Sequence, residues 1–406
     1  MIINSCRICK SKKLESLFSL GNLAFSGKFA TSSKKNIKKG IVKLVKCNAC
    51  SLVQLDRNFS SKFLYGKDYG YRTGINKTMT DHVNKIVKEA SKFVKLKKND
   101  AVLDIASNDG TLLNFYNKSI VKVGIDPILN KYKNNYKSIN HKVSDFFSSK
   151  SINQVGIKNY KIITALSVFY DLKNPNIFIK NIKKILHKDG VFVLEHADLL
   201  LILKNNLFDT ICHEHLEYYS TKIINRLLLK FELRIFDHRY NDVNGGSSQY
   251  YIVHKNSKYK SNFKKIKKII KSEKNYGLDQ KKTYLRFYKR ILEVKKSLIS
   301  ILKKIKINQK SVHGYGASTK GNILLQFFGI SKNYLDCIAD RNDAKNNLYT
   351  PGTKIKIVTE KISRNAVPNF YLVLPWHFKK EILTREKPIR KKGTKFIFPL
   401  PRLKIL

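Results

Sequence analysis

Acidic side chains are scarce in this sequence: 406 residues carry 29 Asp and Glu against 80 Lys and Arg, a formal charge of +51. So lopsided a balance points to a polyanionic partner, whether nucleic acid, an anionic membrane face or a phosphate-bearing ligand. The excess is mostly Lys, keeps company with many Asn, Ile and Tyr, and runs along nearly the whole chain, so biased composition accounts for it equally well. Long apolar runs are also missing. Nothing approaches the roughly 18 consecutive apolar residues of a membrane-spanning helix, and Met1 to Lys13 lacks the apolar core and cleavage site of a signal peptide. The chain therefore reads as cytoplasmic. Cysteine is sparse, six residues in all, too few for a disulfide-stapled scaffold. What is plentiful excludes disorder: 42% hydrophobic and 11% aromatic residues can build a sizeable core. At about 150 residues per domain, two to three domains are expected.

Four of the six thiols form two pairs, Cys6-Arg7-Ile8-Cys9 and Cys47-Asn48-Ala49-Cys50, with 37 residues between them. Each CxxC turn puts two thiolates on one side of a tight knuckle, and two knuckles complete the tetrahedral shell of a structural zinc. A redox motif would show one CxxC at the end of a strand opening a helix. Closed coordination leaves no open position, so the metal is expected to fold its domain and take no part in chemistry.

The segment from Ser60 to Lys98 is helical in pattern, with Met79, Val83, Ile86, Val87 and Ala90 at three- and four-residue steps. The period then changes. Ala101 to Ile105 reads as a buried strand, Ala106 to Gly110 as a tight turn, Thr111 to Phe115 as a helix, and Val121 to Ile125 as a second strand ending in Asp126-Pro127. Such an arrangement binds an adenosine-containing ligand, with the acid after the second strand gripping the ribose. The turn lacks the G-x-G-x-x-G that lets a pyrophosphate approach, and it carries Asp104 and Asp109. Acids repel a pyrophosphate and suit the cationic S-adenosylmethionine (SAM). Further strands at Lys161 to Leu166, running out to Ser167-Val168-Phe169-Tyr170-Asp171, and at Gly190 to Glu195, with an amphipathic helix through Ile177, Ile182, Ile185 and Leu186 between them, fit a parallel sheet with crossover helices.

The densest run of titratable groups is Phe208 to Tyr219, centred on His213-Glu214-His215. H-x-H beside carboxylates suggests a metal, yet no third ligand is suitably spaced. A general base tuned by a neighbouring carboxylate fits better, since His takes and releases protons near neutral pH. From Lys258 to Lys310 two amphipathic Lys-rich helices are expected, with Phe263, Ile266, Ile269, Ile270, Leu285, Tyr288, Leu292, Leu298 and Ile301 on their apolar faces and a break at Gly277. Val312 to Gly321 then reads as strand, glycine loop and helix start, where backbone amides and Lys320 form a phosphate cradle. Leu335 to Asp340 follows as a second strand with its acid, so this stretch alone could be a dinucleotide site. Pro351-Gly352-Thr353 and Leu374-Pro375-Trp376-His377 are expected as loops near its crevice, Trp376 equally as core.

Taken together, the four cysteines followed by Leu52-Val53-Gln54-Leu55, Tyr69-Gly70-Tyr71-Arg72-Thr73-Gly74, Asp104 to Gly110, Gly124-Ile125-Asp126-Pro127, His213-Glu214-His215, Gly245-Gly246-Ser247 and Gly314 to Asn322 resemble the SAM-dependent sugar C-methyltransferases that act on nucleotide-linked keto-deoxysugars. The resemblance runs from Cys6 to about Pro401. It implies an α/β protein with a zinc-binding domain (1–58), a doubly wound SAM-binding domain with a helical lead-in (59–256), a helical linker (257–310) and a Rossmann-like domain holding the nucleotide-sugar (311–406). It implies His215 as the base, with Glu214, His213 and Tyr71 beside it. Cofactor contacts are expected at Asp104, Ala106, Asn108, Asp109, Gly110, Asp126, Pro127, Asp145, Phe146 and Ser167, and substrate contacts at Tyr71, Cys212, Ser318, Thr319, Lys320 and Asn322. The cofactors implied are SAM and structural Zn²⁺, and the partner a nucleotide-diphospho-sugar met by a monomer, without nucleic acid or membrane.

Two residues depart from the family. Cys212 stands where the antibiotic-sugar members carry Tyr, and a thiol is a poor donor to an enolate oxygen. Ala106 replaces a Gly, which is tolerable unless the backbone there needs positive φ. An O- or N-methyltransferase on the same scaffold, or a basic zinc-ribbon protein binding nucleic acid, are the competing readings.

Overall fold

The computed structural model describes residues 1–66 and 69–406. Near the N-terminus, β1 (Leu14–Ala24) and β2 (Lys39–Cys47) pair antiparallel, and β3 (Val53–Leu55) adds to β2. The two CxxC knuckles close alike: Lys10 N donates to the Cys6 carbonyl and Ser51 N to that of Cys47, with Lys10 and Ser51 at positive φ. The fourth strand of this sheet comes from far along the chain. It is Glu217–Tyr218, directly after His213-Glu214-His215, with Tyr218 opposite Val53 and Glu217 opposite Gln54.

In the middle, α1 (Lys77–Phe93) buries the five apolar residues picked out by their spacing, Met79, Val83, Ile86, Val87 and Ala90. It is followed by β4 (Ala101–Ile105), β5 (Val121–Ile125), β6 (His141–Val143), β7 (Tyr160–Leu166), α2 (Pro175–Ile185) and β8 (Leu186–Ala197). The pair Glu217–Tyr218 is β9, and α3 (Thr221–Lys230), β10 (Leu233–Asn241) and β11 (Ser247–His254) complete the segment. Seven strands lie in the order β10-β11-β8-β7-β4-β5-β6, all parallel except β11. The helix expected over 111–115 is a single 3-10 turn, Leu113–Phe115. The backbone makes one turn, and Asn117 then closes the element by accepting from Ser119 N through Oδ1. Ile177, placed on the apolar face of α2, is exposed.

The Lys-rich stretch forms α4 (Phe263–Tyr276) and α5 (Lys281–Ile307), broken at Gly277, which has φ +82° and caps α4. Phe263, Leu285 and Leu292 are exposed rather than inward. The buried face of α5 instead runs Tyr284, Phe287, Ile291, Leu298, Leu302, and Phe287 and Tyr288 pack on Phe18 of β1. Last come β12 (Val312–Tyr315), α6 (Thr319–Phe328), β13 (Ile338–Asp340), β14 (Ile357–Thr359), β15 (Phe370–Val373), β16 (Lys395–Phe398) and β17 (Lys404–Ile405), in the order β14-β13-β12-β15-β16-β17. Among the described residues no helix is long and apolar enough to cross a membrane.

Candidate active site

A cavity of about 810 Å³ opens where the C-terminal ends of β4, β5, β7 and β8 face the loop after β12. Such a crevice beyond the carboxyl ends of parallel strands is where doubly wound sheets bind ligands. Asp104, Ala106, Asn108, Asp126, Pro127, Phe146 and Ser167 line it. Asp126 Oδ2 accepts from Asn108 N at 2.9 Å and Oδ1 from Ile128 N at 2.8 Å, fixing the carboxylate at the rim. Burial pushes Asp126 up to about 6 and Asp104 up to about 7, the latter opposed by a 2.6 Å bond from Thr164 Oγ1. Ala106 has φ +58°, Asn108 +53° and Ser167 +55°, so three non-glycine residues on this wall hold left-handed backbone. The Ala106 methyl is thus carried in a left-handed conformation that costs an L-residue about 1–2 kcal/mol.

Three of the residues expected at the cofactor do something else. Asp109 is fully buried off the cavity and ties down the preceding segment, accepting from Arg72 Nε at 3.1 Å, Gly74 N at 3.0 Å and Thr111 Oγ1 at 2.6 Å. Gly110, φ +75°, lies against the Tyr136 ring, where a Cβ would come within 3.2 Å. Asp145 accepts from Phe146 N and is not part of the cavity wall. Each shapes the loop from behind.

The His-Glu-His loop is clamped at both sides. Leu216 N donates to the Tyr170 carbonyl at 2.7 Å, and Leu55 N donates to the Leu216 carbonyl at 2.9 Å, so the zinc-side sheet and the β7–α2 turn both hold it. His215 Nδ1 donates to the Thr210 carbonyl at 2.7 Å, and the Tyr170 ring lies 4.2 Å from the imidazole. With the proton on Nδ1, Nε2 is the basic nitrogen. Burial, reinforced by the Lys320 ammonium, pushes His215 down to about 3 and keeps it neutral. Glu214 lines the same cavity and accepts from Ser26 Oγ at 3.2 Å. His213 does not reach the cavity: it donates through Nε2 to the Gly40 carbonyl at 3.0 Å and is packed by Phe25 and Phe59. It is a core histidine.

Tyr71 and Cys212 line the cavity, and burial pushes the Cys212 thiol well up, so it stays protonated. Opposite stand Ser318, Thr319 and Lys320; Ser318 Oγ caps α6 by accepting from Gly321 N at 3.0 Å, and Lys320 Nζ reaches the Asn244 carbonyl at 2.9 Å. Asn322 is turned away, buried, donating to the Ser26 carbonyl at 2.8 Å. The 351–353 turn packs on Gln326 off the cavity, whereas Pro375 and His377 do line it. Trp376 is buried and donates to Asp209 Oδ2 at 2.8 Å. Sequence reasoning missed Tyr170, the His82–Glu195 pair at 2.8 Å, and the cations Arg341 and Arg385. Glu195 was legible only as a strand end and His82 only as a polar position on α1.

At the other end, the four thiols of Cys6, Cys9, Cys47 and Cys50 lie within 4.8 Å of one another, with Cys6–Cys50 at 3.6 Å and Cys9–Cys47 at 3.5 Å. A tetrahedral zinc with bonds of about 2.3 Å sets sulfurs about 3.8 Å apart. The set fits that ion.

Three family models match in chain order: a zinc binding domain over residues 6–65, a methyltransferase domain over 72–238 and a C-methyltransferase C-terminal domain over 242–401. C-methyltransferase NovU of Streptomyces niveus is 25% identical over 409 residues, spanning 100% of this chain and 97% of its own. The chain is a SAM-dependent C-methyltransferase. Among solved structures, a SAM-dependent methyltransferase from Clostridium acetobutylicum (14% identity, TM-score 0.36) covers 43% of this C-methyltransferase and 92% of itself. The YcgJ protein of Bacillus subtilis (11% identity, TM-score 0.30) covers 43% and 96%. SAM and structural Zn²⁺ are its cofactors, and the carboxylates of Asp104, Asp126 and Glu195 on the cavity wall suit a cationic cofactor where a pyrophosphate would be repelled.

Proposed function

We propose that this enzyme methylates the carbon next to the ketone, C3, of a nucleotide-diphospho-4-keto-sugar. The supporting observation is His215: a neutral imidazole with its proton fixed on Nδ1, in a cavity bounded on one side by Asp104 and Asp126 and on the other by Ser318, Thr319 and Lys320. The ketone acidifies the C3 hydrogen. Nε2 takes it while donors hold the enolate oxygen, and Tyr71 is one such donor. Glu214 lines the same cavity, held by the Ser26 hydroxyl, where it can accept from a substrate hydroxyl. Asp126 positions the adenosine ribose, and Lys320 with the amides at the start of α6 receives the diphosphate. When bound, SAM supplies the electrophilic methyl that the carbanion takes, and holding the two reactants in one cavity replaces an encounter by an alignment. In this reading residues 1–58 bind zinc, 59–256 bind SAM, 257–310 link, and 311–406 hold the nucleotide-sugar.

The deciding assay is incubation with SAM and a panel of nucleotide-keto-sugars, with mass spectrometry for the methyl gain and NMR for its position. His215→Ala is expected to bind SAM normally while losing both turnover and solvent-deuterium exchange at C3. Exchange at the wild-type rate in that variant would remove His215 as the base.

A further inference from the structure

Asp171 ends the 3-10 turn Phe169–Asp171, which leaves β7 at the edge of the cavity, and it lines that cavity together with His215. The turn and the base move as one unit, because the Tyr170 carbonyl accepts from Leu216 N and the Tyr170 ring lies on the His215 imidazole. The turn that carries Asp171 is therefore held in a fixed place relative to the imidazole. Asp171 Oδ1 is enclosed by protein without a hydrogen-bond partner, a setting that disfavours the ionised carboxylate, while the residue as a whole stays half-buried at the cavity. The titratable groups around it are Tyr65 and Tyr69 from the segment after the zinc-side sheet, Tyr170 beside it, and Cys212, Glu214, Glu217, Tyr218 and Tyr219 from the His-Glu-His loop and β9. Burial holds its pKa well above the usual carboxylate range, and the Glu214 charge raises it further against the Tyr65 hydroxyl. Two acids in one closed site do not both ionise readily.

The chemistry of the site needs a strong donor. A base with as little proton affinity as His215 removes a carbon-bound proton only if the enolate is well stabilised, and the Cys212 thiol is a poor hydrogen-bond donor. We propose that the Asp171 carboxyl group donates a hydrogen bond to the substrate oxygen on which negative charge develops. The proton leaving carbon goes to His215 Nε2; Asp171 keeps its own, and no bond to it breaks. The role resembles that of other buried carboxylic acids held neutral so that they can donate. It rests on the enolate chemistry proposed above.

Two measurements test it. Infrared difference spectra of the zinc-loaded full chain, wild type minus D171N at pH 7 without substrate, are expected to show a protonated carboxyl band. Carboxylate bands in its place overturn the proposal whatever the substrate is. On the nucleotide-keto-sugar that the wild type methylates, D171N keeps a neutral donor of nearly the same shape and is expected within about tenfold of wild-type kcat. D171L, with no donor, is expected to lose about 10²-fold or more, with SAM affinity unchanged in both as the check on folding. Equal losses in D171N and D171L, or a D171L that turns over normally, overturn the assignment. Failure of the sugar reading appears in the wild type, as no methyl gain on any keto-sugar, and is thereby separate from failure of Asp171.

Discussion

At the scale of single residues, the protonation of His215 gives the sharpest consequence. A histidine normally titrates near 6.5, and here burial and Lys320 hold it down to about 3, so it is already in its basic form at neutral and mildly acidic pH. His215 is therefore expected to add no acid limb to the pH profile of kcat/KM between pH 8 and about pH 5, a range in which Asp104 and Asp126, held up to about 7 and about 6, do titrate; a limb near 6.5 that survives in both D104N and D126N would show that the proposed base titrates normally. Folding stability carries the same sign. The unfolded chain binds the proton first, so this histidine lowers stability as pH falls below about 6.5. Ala106 supplies a second test. At φ +58° its methyl costs about 1–2 kcal/mol, and glycine would recover that less about 0.5–1 kcal/mol of chain entropy. Ala106→Gly is expected to raise unfolding free energy by about 0.5–1 kcal/mol, read by denaturant titration, with SAM affinity within threefold. Residue identities were legible here because a rare spacing, H-E-H, named its own positions. Orientation was not: His213 and His215 look equivalent in the sequence, and only the pocket of Phe25, Phe59 and the Gly40 carbonyl assigns one of them to the core.

At the scale of elements, the zinc knuckles do more than fold their own segment. Gln54 and Val53 of β3 pair with β9, two residues beyond His215, and Arg7 inside the first knuckle donates to the Leu55 carbonyl at 2.8 Å and the Leu216 carbonyl at 3.4 Å. The four cysteines lie off the cavity wall, yet their knuckles hold the strand that pairs beside His215, the base we propose. Chelation, or Cys9→Ser, is expected to abolish turnover together with zinc content while SAM affinity changes little, as followed by metal analysis and calorimetry. Retained turnover in a zinc-free protein would show that β9 holds its register unaided. The knuckles and the long amphipathic helices were readable because their signals are local and periodic. The pairing of β3 with β9 was not, since it joins segments about 160 residues apart through a two-residue strand too short to carry a pattern. The Thr111–Phe115 stretch reads as a longer helix because Leu112 and Phe115 stand three apart, but the Asn117 side chain closes it after a single 3-10 turn.

At the scale of the whole molecule, the surplus of 51 positive charges divides into a broad surface background and very few cations at the cavity. Among the cations that line the cavity, Arg72 is paired with Asp109 at 3.1 Å, Lys345 with Asp340 at 3.3 Å, Arg385 with Glu360 at 2.7 Å and Arg341 with Glu381 at 3.6 Å; Lys62 and Lys173 are exposed, and Lys320 stands at the start of α6 on the Asn244 carbonyl. Binding driven by the whole surplus and binding driven by the cavity differ in salt dependence. A protein that neutralises many phosphates of a duplex loses affinity with a log–log slope near 0.9 per phosphate contact, so six to ten contacts give a slope of about 5–9. A diphosphate met by one or two cations gives a slope of about 1–2 by the same reasoning. Measured between 50 and 200 mM salt, log KM for the nucleotide-sugar against log salt is accordingly expected to rise with a slope of about 1–2, and Lys320→Met is expected to lower that slope by about one while raising KM. A slope near zero would detach Lys320 from the diphosphate, and a steep one would mean that the surface charge recruits the ligand as a polyanion.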